Sequence, residues 1–193
     1  MTTVALDLET MLPATFTATS LSEKRFIEIS NEFPDAIVEY DASEGTIIIM
    51  PATDPDTGKR HGRIIYQLGA WQIATGRGEI GDSSTGFLLP NGSRRSPDAC
   101  WYDAERWKQA PVFAPEFVIE VRSPSDRIRP LREKMEEYIA NGVRLGWLID
   151  PKEGKVVTYR PGREPQVLDH PFEVAGDGPM EGFVLKLDGI LTP

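Results

Sequence analysis

The chain has 193 residues, 40% of them hydrophobic and 26% charged, a globular composition that excludes wholesale disorder, while 17 glycines and 16 prolines interrupt it too often for a helix bundle or coiled coil. A formal charge of −9 argues against general polyanion binding through the net field and leaves that role to a locally basic face. With Cys100 the lone cysteine and only His61 and His170 beside it, an internal disulfide is impossible and a Cys/His zinc site all but excluded, so a metal would be held mainly by oxygen.

Residues 1–19 mix Thr, Ala and Leu without a period and read as an extended N-terminal arm. Ser20 and Glu23 have capping-box spacing ahead of Phe26, Ile27 and Ile29, which predicts a short helix ending near Phe33 and Pro34. The β-rich runs 36–40 and 46–50 are joined by five turn-forming residues and form a predicted hairpin that carries Glu39 and Glu44. From 59 to 75 the apolar residues Ile64, Ile65, Leu68, Trp71 and Ile73 recur at mainly helical spacing, with Gly76 as the stop. Short strands follow at 79–80, 87–89 and 98–102, with the turn dipeptide Asn91-Gly92 ahead of Arg94 and Arg95. Then come a strand over 117–122, a helix over 131–141 closed by Gly142, a buried strand over 145–149 and, after a turn, a strand over 155–159. Strand-like pieces around Val167 and over 183–187, broken by prolines, are expected to extend or edge the sheet. Nothing repeats, so the expectation is one α+β or α/β domain over 1–193, with the arm at 1–19, the core at 59–150 and C-terminal strands at 151–193. The chain does not open on a basic-then-apolar leader, and no run approaches the roughly 20 apolar residues of a membrane span. A cytoplasmic protein without membrane contact is therefore expected.

In a strand over 117–122, Phe117, Ile119 and Val121 face one way, and Glu116, Val118, Glu120 and Arg122 face the other. The first set suits packing on a helix. Glu120 and Arg122 then share a face, either as an ion pair or as part of a site. Asp98 follows Pro97 at the start of a strand, where it either forms a turn or supplies a second carboxylate. On adjacent strands, Asp98 and Glu120 would converge on a hard divalent cation, Mg²⁺ or Mn²⁺, with a main-chain carbonyl such as that of Val121 as a third oxygen.

Arg122, Arg127, Arg129, Arg132 and Lys134 outnumber Asp126 and Glu133 across 122–134, and Arg94 and Arg95 precede Asp98. In an acidic chain this local reversal favours a phosphate partner, the other reading being a solvated helix start with Arg–Glu pairs. Ser123-Pro124-Ser125-Asp126 ends the strand and is able to cap the next helix. On that helix Leu131, Met135, Tyr138 and Ile139 form the buried stripe with Lys134 at its edge, placed either to reach a phosphate or to pair with Glu137. A glycosidase pair of Glu116 and Glu120 fares poorly, since the arginines favour phosphate and no aromatic sugar platform is evident. Cys100, Trp101 and Trp147 read as core.

The ordered series Ser96-Pro97-Asp98-Ala99, Phe117-Val118-Ile119-Glu120-Val121-Arg122-Ser123-Pro124-Ser125-Asp126, Lys134-Met135-Glu136-Glu137-Tyr138 and Asn141-Gly142-Val143-Arg144-Leu145-Gly146-Trp147-Leu148-Ile149-Asp150-Pro151 resembles the Uma-two family of restriction-endonuclease-like proteins, abundant in cyanobacteria. Ser83-Ser84-Thr85-Gly86-Phe87 and Pro90-Asn91-Gly92 add to the match, which runs from about Glu39 to Arg160. The resemblance implies the PD-(D/E)XK fold, α+β with a mixed central sheet flanked by helices and an N-terminal helix and hairpin. It also implies a metal-dependent endonuclease acting on DNA. Asp98 would take the motif's Asp and Glu120 its second acid, with Mg²⁺ or Mn²⁺ between them. Arg122 stands at the motif's lysine, and because a guanidinium cannot lose its proton the lysine would come from the following helix as Lys134. Glu39 matches a recurrent family acid, with Glu44 close enough to compete for that assignment. His61 matches a position often occupied by His, where it would bond a phosphate or carboxylate unless it simply faces solvent. The alternative is a catalytically inactive relative that binds nucleic acid or protein, with Glu120 and Arg122 as a structural ion pair. A homodimer is left open.

Overall fold

Alternating burial over 46–50 and unbroken burial near Phe117 and Leu145 mark two kinds of sheet, one part-exposed and one covered on both faces. Both occur in the computed structural model, which describes residues 12–18, 20–110 and 112–191. In chain order the first half contains β1 (Ala14–Thr17), α1 (Glu23–Glu32), β2 (Ile37–Asp41), β3 (Thr46–Met50), α2 (Pro55–Thr75), β4 (Glu79–Asp82), β5 (Phe87–Leu88) and β6 (Arg94–Arg95). The second half contains β7 (Ala99–Tyr102), α3 (Ala104–Gln109), β8 (Phe117–Val121), α4 (Ile128–Ala140), β9 (Leu145–Asp150), β10 (Lys155–Tyr159), β11 (Gln166–Asp169), β12 (Glu173–Ala175) and β13 (Val184–Lys186).

The first sheet is antiparallel, in the order β1-β3-β2-β6-β5; the second is mixed, in the order β11-β10-β9-β8-β7-β4. Only β8 and β9 run parallel in it, as the crossover through α4 requires. Phe117, Ile119 and Val121 pack with Ile64 and Leu68 of α2 and with Phe183 and Leu185, while Val118 packs with Met135 and Tyr138 of α4. Every residue of β8 is therefore buried, Glu120 included. Cys100, Trp101 and Trp147 lie in the core as expected, Trp147 stacking on Phe183 with ring centroids 5.9 Å apart. Among the described residues no helix is long and apolar enough to cross a membrane.

Several local expectations shift. The cap of α1 is Ser22, whose hydroxyl accepts from the Arg25 N–H, so the Ser20/Glu23 spacing is not used as a capping box. Asp54 caps α2 through the Asp56 and Thr57 N–H groups, starting the helix ahead of its apolar period. Asp126 accepts from the Ser123 N–H and closes its own loop; α4 begins after Arg127 without a side-chain cap. Helix α3 adds an element between the strands at 98–102 and 117–122, with Asp103 capping it in the ordinary way. β11 edges the mixed sheet, but β13 pairs with β12 in a separate ribbon instead of extending it. Of the N-terminal arm, β1 lies on β3, and residues 1–11 and 19 lie outside the described residues.

Between α2 and β4 the chain turns at Gly76 and Gly78, both at positive φ, and the Trp101 indole donates to the Arg77 carbonyl at 2.8 Å. A methyl group on Gly78 would overlap that indole. Gly78→Ala is expected to destabilise the protein by about 1–3 kcal/mol, the cost of overpacking, read as a lower urea midpoint; an unchanged midpoint would show that the turn does not constrain Trp101.

Candidate active site

The chain passes from one sheet to the other at Ser96-Pro97-Asp98, between β6 and β7. Because Ala99 pairs with Ile119, Asp98 falls beside the end of β8, and its Oδ2 accepts the Val121 N–H at 2.7 Å. Glu120 points to α4, where the Tyr138 hydroxyl donates to its Oε1 at 3.1 Å and the Lys134 ammonium lies 2.9 Å from the same oxygen. Lys134 and Tyr138 stand one helical turn apart, the spacing that brings both to one spot. Lys134 is also 2.9 Å from Glu39 Oε1, so β2 of the first sheet completes the cluster. Glu44 sits exposed at the hairpin turn, which leaves Glu39 as the acid that reaches the site. His61, in the second turn of α2, has its Nε2 3.4 Å from Asp98 Oδ2 at an angle that makes no hydrogen bond, and this buried nitrogen has no other partner among the described residues.

Burial pushes the Glu120 carboxyl above the usual carboxylate range; Lys134 opposes this, while Asp98 and Glu39 push the same way. Burial works against the charge of Lys134, but Glu120 and Glu39 outweigh it and hold the ammonium above the ordinary lysine value. Burial also lowers His61, yet Asp98 more than offsets it, so His61 binds its proton more tightly than usual. Tyr138 keeps its phenol proton because it is buried beside Glu120.

Other expected partners separate. Arg122 does not pair with Glu120: its Nη1 is 2.8 Å from Asp150 Oδ2 and its Nε donates to the Asp126 carbonyl. The cause is register. Val121 stands opposite Ile149, so the next residue along meets Asp150. Lys134 does not pair with Glu137, which instead takes Arg95, Ser93 and Asn91. The basic rim is smaller than its residue count suggests, because Arg94 pairs with Glu23, Arg129 with Glu133, and Arg95 is buried among Glu39, Asp41 and Glu137. Arg127 and Arg132 are exposed and make no ion pair among the described residues. Glu116 binds Arg106 and the Asp103 N–H, about 13 Å of strand from Glu120, which removes the glycosidase pair.

The donor set fits a hard divalent cation. Asp98 Oδ1 and Glu120 Oε2 make no hydrogen bond among the described residues, and the charges of Asp98 and Glu39 raise the Glu120 carboxyl, a repulsion that a cation would relieve. Among the described residues no three His, Cys, Asp or Glu side chains are placed to share one ion, so a main-chain oxygen such as the Val121 carbonyl is needed to complete a set.

A family model, Uma2, described as "Putative restriction endonuclease", matches residues 24–188. A solved structure, described as a "putative nuclease belonging to DUF820 from Anabaena variabilis ATCC 29413", aligns with a TM-score of 0.69 and 21% identity over 80% of this chain and 89% of that one. That likeness is one of fold, and it is the restriction-endonuclease-like α+β fold expected from the sequence. No curated protein matches.

Removing the ammonium leaves the buried Glu120 carboxylate without a countercharge. Lys134→Met is expected to lower stability by about 3–5 kcal/mol, and Glu120→Gln in the same background to recover part of the loss in a double-mutant cycle of urea titrations. Purely additive effects would mean that the two side chains do not interact.

Proposed function

The chain belongs to the Uma2 family, and on that premise we propose that it is a metal-dependent endonuclease hydrolysing DNA phosphodiester bonds. Family and fold support a nuclease. The observation that carries the finer reading is that Asp98, just before β7, binds the Val121 N–H next to Glu120, whose carboxylate contacts the protonated Lys134. Asp98, Glu120 and the Val121 carbonyl would hold Mg²⁺ or Mn²⁺, which when bound supplies Lewis-acid stabilisation of phosphoryl oxygens and lowers the pKa of water. Lys134, held as a cation, stabilises negative charge as it develops on the phosphate and does not itself take up a proton. His61, its buried Nε2 3.4 Å from Asp98 Oδ2, stands as a countercharge to that carboxylate. Arg122 cannot accept a proton, and its pairing with Asp150 gives it the task of fixing the end of β8.

The second reading, a nuclease-fold module that binds without turnover, loses its Glu120–Arg122 pair but draws on Lys134, whose ammonium stands between Glu39 and Glu120 as a built-in cation. Plasmid cleavage separates the two. The wild type is expected to nick or linearise supercoiled DNA with Mn²⁺ and to stop with EDTA; Asp98→Ala and Glu120→Gln abolish cleavage, and Lys134→Ala slows it roughly a hundredfold or more. A wild type that leaves DNA intact, with a Tm that does not move on Mn²⁺ titration, favours the binding module.

A further inference from the structure

A lysine has a flexible stem and a compact charge, so an ammonium shared between two buried carboxylates needs something to keep it from settling on one. The asymmetry lies at Glu39. Its Oε1 accepts the Ser96 N–H at 2.8 Å as well as Lys134, and its Oε2 is 3.4 Å from Arg95 Nη1. Both oxygens are engaged, which makes Glu39 a poor metal ligand and a firm anchor. Arg95 is only 4% exposed and bonds Asp41 and Glu137 at 2.6 Å each. Glu137 lies three residues beyond Lys134 on α4, so one guanidinium grips both the anchor of the lysine and the helix that carries it. A planar fork with five donors suits a residue that must bond three carboxylates in fixed directions.

We propose that Arg95 and Glu39 are positioning residues that hold Lys134 on Glu120, Glu39 as the lysine's anchor and Arg95 as the clamp on that anchor and on α4. The catalytic consequence rests on the nuclease reading; the placement of the lysine does not, and it is read without metal or DNA.

The test is NMR of the full chain with ¹⁵N-labelled lysine. An ammonium buried against two carboxylates exchanges its protons slowly enough to give a ¹H–¹⁵N correlation, and its disappearance in Lys134→Met identifies it. Glu39→Gln and Arg95→Gln are expected to abolish that correlation or speed its exchange about tenfold or more, and Arg95→Lys, which keeps the charge and loses the fork, to do the same. Arg106→Gln, which breaks the Arg106–Glu116 pair at the other end of β8, is expected to lower Tm and leave the Lys134 exchange rate alone, so a general loss of stability is distinguished from loss of the clamp. The near-isosteric Glu39→Gln carries the test if the Arg95 variants fail to fold. An unchanged correlation in folded Glu39→Gln or Arg95→Gln overturns the proposal, as does a wild type with no such correlation. Absence of DNA cleavage alongside an Arg95-dependent Lys134 signal supports the clamp and counts against the nuclease reading alone.

Discussion

A carboxylate in the middle of a strand buried on both faces needs a cation or hydrogen-bond donors within reach, since its desolvation is otherwise uncompensated. Glu120 is that carboxylate, and the architecture around it answers the requirement. The parallel step from β8 to β9 requires a crossover, and the crossover is α4, whose Lys134 and Tyr138 come down on Glu120. The helix that covers the sheet is thus also the source of the countercharge.

One ammonium does not balance the acids assembled there. Asp98 arrives because the chain switches sheets at Pro97, and Glu39 arrives because the hairpin sheet is stitched to that same crossing through the Ser96 N–H. Arg95 answers part of the excess, and the site keeps carboxylate oxygens without partners next to a fixed positive charge. Such an arrangement is costly for stability and suited to binding a hard cation and a phosphate.

Patterns within one element were legible in the sequence. Alternation in β8 separated Glu120 from Phe117, Ile119 and Val121, the stripe of α4 placed Lys134 at an edge, and the interval between Asp98 and Glu120 permitted adjacent strands. Pairings between elements were not legible in this way. Alternation put Arg122 on the same face as Glu120, but only the register of β8 against β9 selects Asp150 as its partner. Counting arginines could not reveal that Arg95 is internal, because its three carboxylates come from β2 and α4, distant in sequence. The start of α2 slipped for a local reason: apolar periodicity marks where a helix meets the core, whereas Asp54 sets the first turn ahead of it.

A divalent cation shared by Asp98 and Glu120 beside Lys134, as proposed, would be seen by anomalous diffraction at the manganese edge from crystals soaked in Mn²⁺. A single strong peak coordinated by Asp98, Glu120 and the Val121 carbonyl is expected, with Lys134 still in contact with Glu39. A site that shows no peak, with Lys134 as the sole cation against Glu120, would contradict it.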